Sequence, residues 1–121
     1  WHLSDAWARR NDPNVVLVHY DDLVSDLDGE MRRIASRLGI EVDEATWRDL
    51  VDAAGFTSMR AAAERVAPDP EGILLDRRGF FRRGSSGAHR DVLTAAEIDR
   101  YLGRARTLAP PDFLAWLHRE R

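Results

Sequence analysis

The sequence predicts a mostly helical chain of the α/β class with one buried parallel strand. The first observation is the run VVLVHY at residues 15–20, which is β-branched and has no polar alternation until its end. Such a run is typical of a strand that is covered on both faces, as in a parallel sheet. The second observation is that apolar residues recur three times at the spacing i, i+3, i+4 and i+7. That spacing predicts amphipathic helices.

The strand at residues 15–20 has no predicted neighbour with which to form a sheet. Because a lone buried strand cannot bury itself, we expect its partners to lie in sequence outside these 121 residues. The first residue is Trp1 and not methionine. We therefore expect this segment to be cut from a longer chain.

The predicted helices begin and end at recognisable residues. The first covers residues 2–10, and after the strand Ser25 and Asp28 resemble a capping arrangement for a helix that ends at Gly39. A further helix is predicted from Asp43 to Gly55, and a weaker helical stretch covers residues 56–65. Another helix begins at the capping box of Thr94 and Glu97, and a short last helix follows Pro110 and Pro111. Residues 66–93 show little periodicity, and a loop this long is usually functional or disordered.

Composition excludes several kinds of chemistry. All 18 basic residues are arginine, so a lysine nucleophile, a Schiff base and a phosphate-loop lysine are excluded within this segment. The absence of cysteine excludes disulfides, thiolate catalysis and cysteine zinc sites. A formal net charge of −3 argues against a broad nucleic-acid surface. The use of arginine alone fits a GC-rich bacterial coding sequence, for instance an actinobacterial one.

The run FFRRGSSG at residues 80–87 is the most informative feature. Arginine gives bidentate, permanently charged contacts, and glycine lets backbone N–H groups approach phosphate oxygens. The adjacent aromatic rings could pack against a base or an acyl group. The same pattern also fits a solvated arginine loop, and the residues alone do not decide between the two.

A second candidate site follows the predicted strand at Tyr20, Asp21 and Asp22. Ligands of open parallel sheets bind outside the carboxyl ends of the strands, which places these residues well. The alternative is that Tyr20 packs in the core and that Asp21 or Asp22 caps the next helix. Phe56, which follows Gly55, is likewise either a core residue at a helix junction or part of a site.

The histidines and serines give no catalytic or metal-binding pattern. His2, His19, His89 and His118 lack metal-ligand spacing, and His19 is predicted to be structural. Ser85 and Ser86 lie near His89 in sequence, but a catalytic triad is recognised by geometry, which spacing does not supply. We predict no catalytic residue and no metal site in this segment.

Taken in this order, the motifs resemble the C-terminal part of the sulfotransferase family that uses 3′-phosphoadenosine 5′-phosphosulfate (PAPS). The resemblance covers essentially the whole chain. It includes residues 2–7, residues 15–23 against "V-L-x-L-x-Y-E-D-L", residues 31–39 against "I-x-x-I-x-x-F-L-G", residues 56–59 against "S-F-x-x-M", and residues 81–90 against "F-x-R-K-G-x-x-G-D-W-K". The last of these is the most specific.

The resemblance implies a P-loop-containing, nucleotide-kinase-like fold with PAPS as co-substrate and no metal. Arg82, Arg83 and the Gly84 backbone would hold the 3′-phosphate of PAPS. Tyr20 and Phe56 would lie near the adenine, and Phe81 could cover it. The implied reaction is in-line sulfuryl transfer to a hydroxyl or amine of a small-molecule, lipid or carbohydrate acceptor.

By the same resemblance, residues 1–121 would be the C-terminal part of a single sulfotransferase domain, and the N-terminal part of that domain would pack with this segment. The protein would be cytoplasmic and would have no transmembrane segment. The family's phosphosulfate loop and catalytic base have no counterpart here, so we expect the 121 residues alone to be inactive. Ala88 and His89 replace the usual Asp-Trp pair. Of the family's dimer element only Thr94 is retained, so no oligomeric state is predicted.

Two other functions remain open from the sequence. In the first, the chain is a non-catalytic helical binding module whose Arg82 and Arg83 serve an acidic partner. In the second, it is an RNA-binding fragment, whose affinity would fall steeply with salt. The acidic helices around the loop argue against nucleic acid as a partner.

Overall fold

The computed structural model describes residues 2–119, and these are helical or irregular throughout. In chain order, the α-helices within this part are α1 (His2–Ala8), α2 (Tyr20–Ser25), α3 (Leu27–Leu38), α4 (Glu44–Ala54), α5 (Phe56–Ala61), α6 (Ala63–Val66), α7 (Arg77–Phe80), α8 (Ala95–Arg106) and α9 (Pro111–Leu117). A short 3-10 helix covers Ala88–Asp91. Across residues 2–119, no helix has the length and apolar character needed to cross a membrane.

The predicted strand is absent from the structure. Residues 15–19 are irregular and half-buried, and Tyr20 is already the first residue of α2. A β-branched run becomes a strand only when a neighbour accepts and donates its ladder hydrogen bonds. Between residues 2 and 119, no segment pairs with it in that way. The local preference of these residues for extended structure therefore predicted a strand, but no neighbouring strand pairs with them within residues 2–119.

The N-cap of helix α3 lies one residue later than predicted. Asp26, rather than Ser25 with Asp28, is the N-cap, and its carboxylate accepts a hydrogen bond of 2.9 Å from the Gly29 N–H. The prediction was wrong because the chain bends between α2 and α3, and this frees the Asp26 side chain to turn back on the new helix. The predicted end at Gly39 is confirmed, with a left-handed φ of 66°.

The chain separates into two compact units, Tyr20–Ser86 and a second one built from residues before 20 and after 86. In the unit Tyr20–Ser86, Trp47 on α4 is 6% exposed, and its indole N–H donates to Asp28 on α3 at 2.6 Å. This hydrogen bond lowers the pKa of Asp28, and a hydrogen bond from Arg32 lowers it further by a smaller amount. The assignment of residues 1–121 to one domain stays a prediction.

The other unit is held together by an aromatic cluster. Phe113 on α9 is 4% exposed, and the Trp7 ring lies 5.5 Å from Phe113 and 5.4 Å from Trp116, measured between centroids. His19 meets Trp116 edge-on at 5.1 Å, which agrees with its predicted structural role. The predicted capping box of α8 is confirmed, with both the Thr94 and the Glu97 hydrogen bonds present.

The segment 66–93 is more ordered than its lack of periodicity suggests. It contains α7 and the 3-10 helix. Asp69 holds its first half, because the buried carboxylate accepts hydrogen bonds from the Ile73 N–H at 2.6 Å and from the Arg77 guanidinium at 3.1 Å. Contacts of one carboxylate with backbone N–H groups and a guanidinium four to eight residues away follow no apolar repeat, so periodicity could not reveal this order.

Candidate functional site

A cleft of about 390 Å³ opens within the unit Tyr20–Ser86. Three parts of the chain form it: the start of α2, the start of α5, and the loop that follows α7. The residues that line it are Tyr20, Phe56, Met59, Phe80, Phe81, Arg82, Arg83, Gly84 and Ser85. Aromatic rings and two guanidinium groups therefore border one concave surface.

The aromatic side of the cleft is set by short helices. Phe56 is the first residue of α5, and Met59 lies three residues later on the same helix face. Phe81 follows α7 directly, and its ring lies 6.4 Å from Phe56 and 5.2 Å from Phe80, edge-on in both cases. Edge-to-face packing is favourable for aromatic rings and holds Phe81 between its two neighbours.

Gly84 brings the loop backbone against Phe56. Its φ is +65°, a left-handed conformation that favours glycine. A Cβ placed there would lie 2.5 Å from Cγ of Phe56 and 2.7 Å from each Cδ, so no other residue fits without displacing the ring. The sequence motif predicted a glycine close to a phosphate. The structure adds a second requirement, which is contact with an aromatic ring.

The two arginines of the loop, Arg82 and Arg83, are both exposed. Within the part of the chain that the structure describes, no hydrogen bond or ion pair engages the Arg82 guanidinium. A guanidinium keeps its positive charge at any physiological pH. Arg82 thus gives the cleft a cation that is accessible to an anionic ligand.

The loop is anchored on the side of α7. Asp76 caps α7 by accepting from the Arg78 N–H at 2.9 Å, and Arg77 donates to the Glu64 carbonyl at 3.0 Å. Burial acts to raise the pKa of Asp69, but hydrogen bonds from the Leu74 N–H, Arg77 and the Ile73 N–H lower it on balance. Asp69 therefore stays charged and keeps its ion pair with Arg77 of α7.

The six residues predicted to contact the nucleotide, Tyr20, Phe56, Phe81, Arg82, Arg83 and Gly84, all line this cleft. Their roles stay a prediction. Tyr20 reaches the cleft from the start of α2 rather than from the end of a strand. Neither Asp21 nor Asp22 caps the next helix, since Asp26 does so.

Three further residues line the cleft, Met59, Phe80 and Ser85, and none of them was predicted as a nucleotide contact, although Phe80 and Ser85 belong to the candidate run at residues 80–87. Met59 could have been found from its i+3 spacing to Phe56, which puts both on one helix face. The run at residues 80–87 pointed to Phe80 and Ser85 as members of a candidate site, but whether each side chain reaches the cleft depends on the path of the loop.

The other unit contains a larger groove of about 820 Å³ between α1, α8 and α9. It is mainly apolar, with Leu3, Leu108 and Phe113 among its lining residues, and none of the six predicted contacts borders it. Across residues 2–119, no group of three or more acidic, histidine or cysteine side chains could hold a metal ion.

Comparison with known proteins identifies the family. A family model described as "Sulfotransferase domain" matches residues 1–104. The chain belongs to the sulfotransferase family. That membership confirms the resemblance drawn from the sequence motifs.

Relatives from bacteria and plants agree with this membership. A protein named "Glycolipid sulfotransferase" from Mycobacterium bovis is 45% identical over 120 residues, which is 98% of this chain and 37% of the relative. "Cytosolic sulfotransferase 12" of Arabidopsis thaliana is 36% identical over 106 residues, which is 82% of this chain and 32% of that protein. The chain spans under two fifths of the length of these relatives.

A solved structure shows the fold. The crystal structure of mouse sulfotransferase SULT7A1 complexed with PAP superposes with a TM-score of 0.67 at 20% identity, over 98% of this chain and 40% of the mouse chain. The sulfotransferase fold predicted from the sequence is thereby confirmed, although the strand within it is not formed here.

Proposed function

We propose that this chain supplies the nucleotide-holding part of a PAPS-dependent sulfotransferase. The observation that carries the proposal is the cleft of the unit Tyr20–Ser86, where two arginines and a left-handed glycine adjoin aromatic rings. Family membership supports it, as does the PAP bound to the mouse protein.

In this proposal Arg82 and Arg83 bind the 3′-phosphate. Each guanidinium can donate two parallel N–H bonds to phosphate oxygens, which gives both charge and direction. Gly84 adds its backbone N–H, since the lack of a side chain there permits close approach. A 3′-phosphate is what distinguishes PAPS from the common adenine nucleotides, so these groups would set nucleotide selectivity.

The aromatic residues would take the adenine. Tyr20, Phe56 and Phe81 border the cleft beside the arginines, and base stacking on an aromatic ring is worth about 1–3 kcal/mol. Gly84 covers part of the Phe56 ring, so the base would use the ring surface that remains open to the cleft.

The reaction is in-line transfer of the sulfuryl group. The bond from sulfur to the phosphate oxygen of PAPS breaks, a bond from sulfur to the acceptor oxygen forms, and PAP leaves. A base takes the acceptor proton, and no residue of this chain is assigned to that step. The contribution of this chain is to hold the nucleotide in place, because positioning lowers the entropic part of the barrier.

For the acceptor we propose a hydroxyl of a glycolipid. The name of the mycobacterial relative supports this choice over an amine or a soluble phenol. A cytoplasmic location of the protein belongs to the same proposal and rests on the family resemblance.

Titration of the full-length protein with adenosine 3′,5′-bisphosphate (PAP) tests nucleotide binding. Calorimetry should show that Arg82→Ala and Arg83→Ala each weaken PAP binding by about 10- to 100-fold, the value of one charged hydrogen-bonded contact. Binding of adenosine 5′-phosphate, which lacks the 3′-phosphate, should change little. Arg48→Ala, an exposed arginine on α4, is the matched control.

Unchanged PAP affinity in the double variant of Arg82 and Arg83 would contradict the proposal. If that double variant instead lost binding to an acidic protein partner while PAP never bound, the non-catalytic binding module would be the better description.

To test the acceptor, the full-length protein is incubated with PAPS and a defined glycolipid, and the mass of the lipid product is measured by mass spectrometry. We expect a sulfated glycolipid. Transfer to a simple phenol with none to the glycolipid would overturn the acceptor proposal while leaving the donor proposal in place.

A further inference from the structure

A hydrogen bond between two side chains ties the arginine loop to α2. The Ser86 hydroxyl donates to Oδ1 of Asp21, although the two residues are 65 positions apart. Ser86 lies two residues after Gly84, and Asp21 directly follows Tyr20. The bond therefore joins the two parts of the chain that carry the proposed phosphate contacts and one of the aromatic contacts.

The backbone of this loop lacks helical restraint. Residues 81–87 lie outside any helix, and the glycines at the middle and at the end of this stretch, Gly84 and Gly87, have φ values of +65° and +88°. Fixing one flexible residue costs about 1–2 kcal/mol of conformational entropy. A contact that orders the loop before the ligand arrives therefore improves affinity, because less ordering remains to be done on binding.

The chemistry of Asp21 points to this role and away from ligand binding. An ionised carboxylate only accepts hydrogen bonds, and so does a phosphate, so Asp21 cannot bind the 3′-phosphate directly. Its negative charge beside an anion site is unfavourable for the ligand. Its contact with Ser86 gives a reason for its presence there.

We propose that Asp21 and Ser86 are positioning residues, whose hydrogen bond holds residues 82–84 in the conformation that receives the 3′-phosphate. This inference rests on the proposed function. It goes beyond it by assigning the geometry of the phosphate loop to a contact that touches no ligand.

The test compares two nucleotides on the full-length protein. Ser86→Ala should weaken PAP binding about tenfold, the effect of losing one hydrogen bond to a charged group. Binding of adenosine 5′-phosphate should be unchanged, since it lacks the phosphate that residues 82–84 would hold. Ser86→Thr keeps a hydroxyl and should restore PAP affinity. Ser58→Ala removes an exposed hydroxyl on α5 and is the matched control.

A double-mutant cycle isolates the bond itself. Asp21 has further contacts, so Asp21→Ala alone changes more than this bond. If the bond positions the loop, Ser86→Ala should have no further effect on PAP affinity in the Asp21→Ala background. Fully additive losses would overturn the inference.

The two proposals fail in different ways. If Arg82→Ala reduces PAP affinity selectively but Ser86→Ala does not, the positioning inference is wrong and the proposed function stands. If Ser86→Ala weakens both nucleotides equally, the bond is merely structural and the inference is also wrong. If Arg82→Ala has no effect on PAP binding, both proposals fall.

Discussion

The two units of the chain are stabilised by different kinds of contact. The unit of α1, α8 and α9 packs the rings of Trp7, Phe113 and Trp116 against one another. The unit Tyr20–Ser86 leaves aromatic rings open in a cleft, and the end of its loop is held by a polar contact, the hydrogen bond of Ser86 with Asp21. Dense apolar packing resists rearrangement, whereas a loop end held by a hydrogen bond can change its conformation when a ligand binds.

This contrast predicts where a substitution costs stability and where it costs binding. In the aromatic unit, a truncated ring should lower the free energy of unfolding. In the cleft, a loop substitution should lower nucleotide affinity more than stability. The tests below run from the largest expected effect to the smallest.

Truncation of the central ring, Phe113→Ala, should have the largest effect. Removing a buried phenylalanine side chain costs about 3–5 kcal/mol of unfolding free energy, because it removes apolar burial and leaves a cavity. Urea unfolding measures this loss. The control is Leu108→Ala, whose side chain is 65% exposed and should cost within about 0.5 kcal/mol. Equal losses in the two variants would show that the aromatic cluster does not dominate this unit.

A methyl group at the tip of the phosphate loop, Gly84→Ala, should weaken PAP binding by about 5- to 150-fold. The new Cβ would collide with the Phe56 ring and displace the loop or the ring, and overpacking of this kind costs about 1–3 kcal/mol. Calorimetry of PAP binding is the measurement.

Gly87→Ala is the matched control, since Gly87 also has a positive φ but nothing lies within 4 Å of its Cβ position. Both variants carry the left-handed strain of alanine, so their difference reports the contact with Phe56. Identical affinities would show that the close approach to Phe56 has no role in binding.

Removal of a helix cap, Thr94→Ala, should lower the unfolding free energy by about 1 kcal/mol. The Thr94 hydroxyl satisfies the Glu97 N–H at the start of α8, and alanine leaves that donor without its partner. Thr94→Ser keeps the hydroxyl and should be close to wild type in urea unfolding. A similar loss in both would mean that the capping box adds nothing.

The smallest effect is a change in pH dependence at Asp43. Hydrogen bonds from the Thr46 hydroxyl and N–H lower the pKa of Asp43, which caps α4. The stabilisation is therefore present above the unfolded pKa of about 4 and is lost as the pH falls through the lower folded value. Asp43→Asn keeps a capping oxygen without a titrating group, so the stability advantage of wild type over this variant should shrink in acid. An advantage that is constant from pH 7 to pH 3 would contradict this.

Most of the helices could be predicted from sequence, because their signals are local. The ends of α3 and α4 follow from the glycines at 39 and 55, and the start of α8 follows from Thr94 and Glu97. Capping contacts and apolar periodicity involve residues only a few positions apart, so they do not depend on how the rest of the chain folds. The cap at Asp26 was missed because the bend between α2 and α3 decides which side chain can turn back on the helix.

The candidate site divides in the same way. The residue types of the loop, two arginines and a glycine, indicated an anion site from chemistry alone. No local rule could have paired Ser86 with Asp21, or Gly84 with the ring of Phe56, because these partners are 65 and 28 positions apart and meet only when the loop folds back.

By itself, then, the sequence determined the helical periodicity, the caps and the cationic chemistry of the loop, since each is written in neighbouring residues. Only the tertiary structure decided whether residues 15–19 form a strand, where the aromatic rings gather, and what holds the loop against them. These depend on hydrogen-bond and packing partners that are distant along the chain, and a strand or a cleft exists only when such partners meet.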